Sequence, residues 1–137
     1  TSTATAILGS DSKLYMWGEI AATGRLLLKI PYLPHVQKAS FNMNDIKQVF
    51  LGTYHIVAVT NDNRLFLWGG NDYGQLGQGN KDSSCVPQEV KGHDIRQIVV
   101  QGTSNLILTK QGAVYGWGAN NYGQLGQLVL FLSSNVI

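Results

Sequence analysis

The apolar positions fall in short runs broken by glycine, asparagine and aspartate. Leu65-Phe66-Leu67-Trp68-Gly69 alternates leucine with an aromatic residue. Side chains on a strand alternate faces, so the aromatics project to one side and the leucines to the other. The same phrase is written as Leu14-Tyr15-Met16-Trp17-Gly18 and as Val114-Tyr115-Gly116-Trp117-Gly118, which spaces the tryptophans 51 and 49 residues apart. Apolar character on both faces predicts an inner strand covered from both sides. A second apolar run precedes each phrase, at 4–8, 55–60 and 106–109. The links Ser10-Asp11-Ser12, Asn61-Asp62-Asn63 and Lys110-Gln111-Gly112 have hairpin-turn chemistry. Ile46-Lys47-Gln48-Val49 and Ile95-Arg96-Gln97-Ile98 add a strand at an offset of 49, while Pro34-His35-Val36 and Pro87-Gln88-Glu89-Val90 begin another. Four strands in each unit of about 50 residues predict an all-β chain of antiparallel propeller blades.

After the second and third tryptophans comes almost one loop. Asn71-Asp72-Tyr73-Gly74-Gln75-Leu76-Gly77 matches Asn120-Asn121-Tyr122-Gly123-Gln124-Leu125-Gly126 at six of seven places. Glycines at fixed offsets allow positive-φ turns, and the leucine between them is expected to tuck back onto the strand. The phrase from Trp68 to Gly77, with Gly52-Thr53-Tyr54-His55 before it and Pro87 to Val90 after it, resembles the regulator of chromosome condensation repeat. That resemblance runs over residues 4–127 and implies a seven-bladed ring. The kelch repeat shares the period, but its tryptophan follows the glycine doublet instead of preceding Gly69-Gly70. Unit one departs from the pattern, with Glu19-Ile20-Ala21-Ala22-Thr23-Gly24-Arg25-Leu26 where the loop belongs. Unit three has Ser104 or Asn105 in place of His55, and after Gly126 an apolar run at 128–132 replaces the proline-led strand.

Composition narrows the functional classes. Charged residues make up only 13% of the 137, against about 25% in an average domain, which excludes a coiled coil or a charge-rich arm. Ten lysines and arginines against eight acids leave a net charge of +2, dispersed along the chain. No face gathers the several phosphate contacts that nucleic-acid binding needs, so no nucleic-acid partner is expected, and residues 1–12 hold no basic tail. No apolar stretch approaches the ~18 residues of a membrane span. The single Cys85 excludes an intramolecular disulfide and suits a reducing, cytoplasmic or nuclear compartment. No signal peptide is visible, and the missing initiator methionine suggests a chain processed or cut from something longer.

Catalytic chemistry finds little support. His35 and His93 lie in loops without a second ligand at metal spacing, so no metal site is expected. Gly74, Gly77 and Gly79 lack the following helix whose amides would cradle a phosphate, so no cofactor is expected. The aspartates 11, 62, 72, 82 and 94 stand at turns, where they cap backbone amides. His55 is expected to be a buried histidine bonded to backbone of its own turn, and the tryptophans to be core.

These readings divide the chain into a degenerate first repeat (1–48), a well-formed repeat (49–98), a partial third (99–127) and an apolar tail (128–137). About 2.7 units is an incomplete propeller, since closure takes ~4–8 blades. Neighbouring blades or another subunit are therefore expected over the open ends. The expected function is a non-enzymatic protein-interaction module, part of a larger propeller or complex. Asn61, Asp62, Asn63, Lys81, Asp82, Ser83, Lys110 and Gln111 are the candidate partner contacts. The alternative implied by the resemblance is guanine nucleotide exchange on a Ran-type small GTPase. That activity uses an inserted wedge, which does not map onto this sequence.

Overall fold

A computed structural model describes residues 3–11, 14–22, 25–30, 37–38 and 45–126. Its elements are β1 (Thr3–Leu8), β2 (Leu14–Ala22), β3 (Arg25–Ile30), β4 (Gln37–Lys38), β5 (Ile46–Leu51), β6 (His55–Thr60), β7 (Leu65–Gly69), β8 (Ser84–Val90), β9 (Ile95–Gln101), β10 (Ser104–Thr109) and β11 (Val114–Gly118). They form three antiparallel sheets: β1-β2-β3 with β4 also on β2, the meander β5-β6-β7-β8, and β9-β10-β11. The chain is all-β, built from propeller blades that do not close into a ring.

The middle sheet explains the two-faced strands. Ile56 and Ala58 of β6 and Trp68 of β7 pack with Leu14, Met16 and Ile46 between the first and second sheets, with Phe66 against them. Their alternates Val57, Val59, Leu65 and Leu67 pack with Ile98, Ile107 and Trp117 between the second and third. One period-two pattern therefore serves two cores. Every residue of β6 is buried, because a sheet covers each of its faces. Trp68 and Trp117 each lean on the preceding sheet, Trp68 toward the first and Trp117 toward the second.

The repeated loops owe their likeness to internal hydrogen bonding. Asn71 Oδ1 accepts from the Leu76 amide at 2.8 Å, and Asn120 Oδ1 from the Leu125 amide at 2.9 Å. Gln75 Oε1 accepts from the Tyr73 amide at 2.9 Å, and Gln124 Oε1 from the Tyr122 amide at 3.0 Å. With these bonds made, Leu76 and Leu125 turn inward and are buried, as their position between glycines predicts. Gly118, with φ of 102°, closes the Trp117 strand; a Cβ there would stand 2.2 Å from the Thr103 carbonyl oxygen.

Unit one differs from its expected loop. Its tryptophan strand runs on to Ala22 and pairs with β3, as Glu19↔Lys29 and Ala22↔Arg25. Without the glycine pair of a Gly-Gln-Leu-Gly loop, nothing in Glu19-Ile20-Ala21-Ala22 turns the chain, so the strand continues. The expected strand at Pro34-His35-Val36 and the apolar run 128–132 lie outside the described residues.

Candidate functional site

The strand directions sort the candidate contacts onto two rims. The β6–β7 turn carries Asn61, Asp62 and Asn63, and the β10–β11 turn carries Lys110 and Gln111. These are equivalent turns of consecutive sheets and share a rim. Lys81, Asp82 and Ser83 lie in the β7–β8 connection, at the His55 end of β7, because Gly69 pairs with His55. They belong to the opposite rim, so the structure brings together the first two groups and not the third.

Local bonding fixes each group. In the β6–β7 turn, the Thr60 hydroxyl pairs with the Asp62 carboxylate and accepts from the Arg64 amide at 3.0 Å. The hydrogen bond from Thr60 holds the Asp62 carboxyl below its ordinary pKa. Asn63 takes the left-handed region at φ 62°, which asparagine tolerates better than most residues. Lys110 Nζ meets Asp94 at 3.0 Å, and its amide donates to the Asp94 carbonyl at 2.9 Å. Arg64 makes a two-pronged pair with Glu89, both N···O distances 2.9 Å, which keeps the Glu89 carboxyl below its usual range.

On the other rim the buried Asn71 organises the connection. Its Nδ2 donates to the carbonyls of Asn80 and Asp82, both at 3.0 Å, and its amide donates to Ser83 Oγ at 3.2 Å. Lys81, Asp82 and Ser83 thus sit exposed on a braced loop.

Between the second and third sheets lies a polar latch that sequence reasoning assigned incorrectly. His55 Nε2 meets Asn105 Oδ1 at 2.8 Å, 50 residues away in the next sheet, and does not bond its own turn. Asn105 Nδ2 donates to the Gln75 carbonyl at 2.8 Å, and Trp117 Nε1 donates to the same oxygen at 3.0 Å. Burial pushes the His55 pKa down, only partly opposed by the bond to Asn105. A neutral ring with its proton on Nε2 fits, since Asn105 offers its oxygen there and Nδ1 has no hydrogen-bond partner. The signal in the sequence was the departure at Asn105, where the second sheet has Ile56. By register Ser104 takes the place of His55, while Asn105 supplies the second sheet's histidine with its partner.

Among the described residues no three His, Cys, Asp or Glu side chains gather to hold a metal ion. No helix there is long and apolar enough to cross a membrane. Cys85 is exposed on β8.

Models of the regulator of chromosome condensation (RCC1) repeat match residues 62–104 and, in a second form, residues 46–75 and 96–124. The chain belongs to the RCC1 repeat family. The RCC1 repeats here are similar to the ultraviolet-B receptor UVR8 of Arabidopsis thaliana, 35% identical over 77 residues, which is 56% of this chain and 17% of that protein. They are also similar to a mouse secretion-regulating guanine nucleotide exchange factor, 36% identical over 84 residues, 53% of this chain and 18% of that one. Among solved structures, Prp20p from Saccharomyces cerevisiae superposes with a TM-score of 0.70 at 25% identity, covering 90% of this chain and 30% of its own. Prp20p has been characterised for its binding to Gsp1p and histones. The matched segments span under a fifth of the two curated relatives' lengths.

Proposed function

We propose that this chain is a protein-interaction module within a larger propeller or complex, acting in the cytoplasm or nucleus without catalysing a reaction of its own. The observation that carries this reading is the repeated, self-bonded turn. Consecutive sheets present their rim residues from equivalent turns braced by internal hydrogen bonds. A partner then meets Asn61, Asp62, Asn63, Lys110 and Gln111, or Lys81, Asp82 and Ser83, without paying to order a flexible loop. The dispersed charge favours a protein surface over nucleic acid.

Regulation of a small GTPase is the second reading. It is supported by the likeness to a guanine nucleotide exchange factor and to Prp20p, which binds Gsp1p. One experiment addresses both. The chain is titrated against a panel of small GTPases, following binding and release of labelled nucleotide. Binding without release supports the interaction module; release at catalytic concentrations supports exchange. Charge reversal at Lys110 and, separately, at Lys81 then identifies the rim, because the two lysines face opposite ways. Failure of both variants to change binding would refute a rim contact.

A further inference from the structure

The segment that follows the loop at 71–77 frames a cavity of about 280 Å³ against β8, lined by Gln78, Asn80, Asp82, Ser83, Ser84 and Gln88 above Leu76. It belongs to the middle sheet, whose two faces are both covered by sheets of this chain, so the ends of the stack play no part in forming it. It is also particular to one unit. The likeness between the two loops runs only as far as Gln78 and Gln127, and positions 129–132, which match Asn80 to Ser83, hold no polar residue.

Hydrogen bonding leaves this lining rich in acceptors and poor in donors. Gln78 Nε2 donates to the carbonyls of Leu76 at 3.4 Å and Glu89 at 3.2 Å. The Ser84 hydroxyl gives its one proton to the Val86 carbonyl at 2.7 Å, so its oxygen accepts from Gln88 Nε2 at 3.2 Å. Both glutamines thus commit their NH2 groups, and neither Oε1 has a partner among the described residues. Asn80 Oδ1 accepts from the Asp82 amide at 3.0 Å, and Asn71 Nδ2 donates to the Asp82 carbonyl at 3.0 Å, which fixes the backbone on both sides of that residue. The Asp82 carboxylate itself makes no hydrogen bond or ion pair among the described residues, and the lining holds no cationic side chain.

Three unpartnered acceptors carrying one negative charge suit a cation that donates several hydrogen bonds. The volume falls below the ~300–1,000 Å³ of small-molecule pockets, and a hard metal ion would find a single carboxylate. A guanidinium offers five N–H donors in a planar fork and is more weakly hydrated than an ammonium, so it leaves water more readily. We propose that this cavity receives an arginine side chain from a protein partner, paired with the Asp82 carboxylate and donating to the free oxygens of Gln78 and Gln88. The proposal rests on the interaction-module reading and gives that reading a rim, the one carrying Lys81, Asp82 and Ser83, and a partner chemistry, an exposed arginine.

The test uses N-acetyl-arginine methylamide, titrated into the isotope-labelled chain and followed by amide NMR shifts, with the lysine and the uncharged citrulline analogues alongside. The expected shifts gather at residues 78–84 and Gln88, saturate in the millimolar range, weaken with added salt, are smaller for lysine and are absent for citrulline. Asp82→Asn keeps both backbone bonds and lowers the arginine affinity about five- to tenfold, whereas Asp45→Asn, on the opposite rim, leaves it unchanged. Ser83→Asp keeps an acceptor for the Asn71 amide and adds a charge to the lining; it tightens binding, a gain that a damaged fold could not produce. An equal response to citrulline, shifts scattered over the surface acids, or an Asp82→Asn variant that binds arginine as well as the wild type would overturn the proposal. The probe needs no partner protein, which separates the two readings. Binding of a small GTPase that depends on Lys81, without any site for the probe, overturns the arginine cavity and leaves the interaction module standing; a specific probe site supports the cavity whatever the GTPase panel shows.

Discussion

Asn105→Ala is the sharpest test of the latch between the second and third sheets. Asn105 is fully buried and bonds His55 and the Gln75 carbonyl, both at 2.8 Å. Truncation leaves the Gln75 oxygen its bond from Trp117 but strands the His55 Nε2–H in a dry interior. A buried donor without a partner costs about 1–3 kcal/mol. The void left by a carboxamide, roughly 40 Å³ at ~24 cal/mol per Å³, adds about 1 kcal/mol. A loss of about 2–4 kcal/mol is therefore expected, a large share of the ~5–15 kcal/mol that holds a domain together. At roughly 3–4 °C per kcal/mol for a chain of this size, the melting temperature falls by about 6–16 °C. The assay is urea unfolding followed by tryptophan fluorescence, repeated for His55→Leu and for the double variant. Removing both partners leaves no orphan donor, so the double variant should be less damaged than the sum, with coupling of about 1 kcal/mol or more. A loss below about 0.5 kcal/mol in Asn105→Ala, or strict additivity, would refute the latch.

Other outcomes follow from the same packing. Trp68→Ala empties the core between the first and second sheets, where the indole is wholly buried, and is expected to cost roughly 3–5 kcal/mol by chemical denaturation. Gly118→Ala and Gly74→Ala separate steric clash from backbone strain. Both positions have positive φ, but a Cβ at Gly118 meets the Thr103 carbonyl at 2.2 Å while one at Gly74 meets nothing within 4 Å. Thermal melts should show about 1 kcal/mol for Gly74→Ala, the left-handed cost alone, and clearly more for Gly118→Ala; equal losses would contradict the geometry. For His55, burial sets the folded pKa below the unfolded value of 6.5. The unfolded chain therefore binds the proton first. Stability from this group is complete above pH 6.5 and is lost as pH falls through the interval down to the folded pKa, at up to about 1.4 kcal/mol per pH unit. His93, partly buried, is shifted the same way. Unfolding measured across this range should show the decline reduced in His55→Leu; an unchanged slope would exclude His55 as its source.

The sequence by itself determined the strands, the turns and the repeat. Period-two alternation in Leu65-Phe66-Leu67-Trp68 is a local consequence of strand geometry and needs no knowledge of neighbours. The loop from Asn71 to Gly77 carries its own hydrogen-bond partners within seven residues, so its conformation is also written locally. The turn from Asn61 to Asn63 was legible for the same reason, although strand direction was needed to place it on a different rim from Lys81. What tertiary structure decided was which sheet each face meets. His55 could be read as buried, but its partner stands 50 residues away, and only the stacking of consecutive sheets brings Asn105 within 2.8 Å. Unit one could be read as irregular, yet its continuation into a hairpin with β3 depends on cross-strand pairing that no single segment specifies. Local propensity and periodicity act within a few residues. Contacts between sheets depend on register and stacking summed over the whole chain, and the latch is made of such contacts.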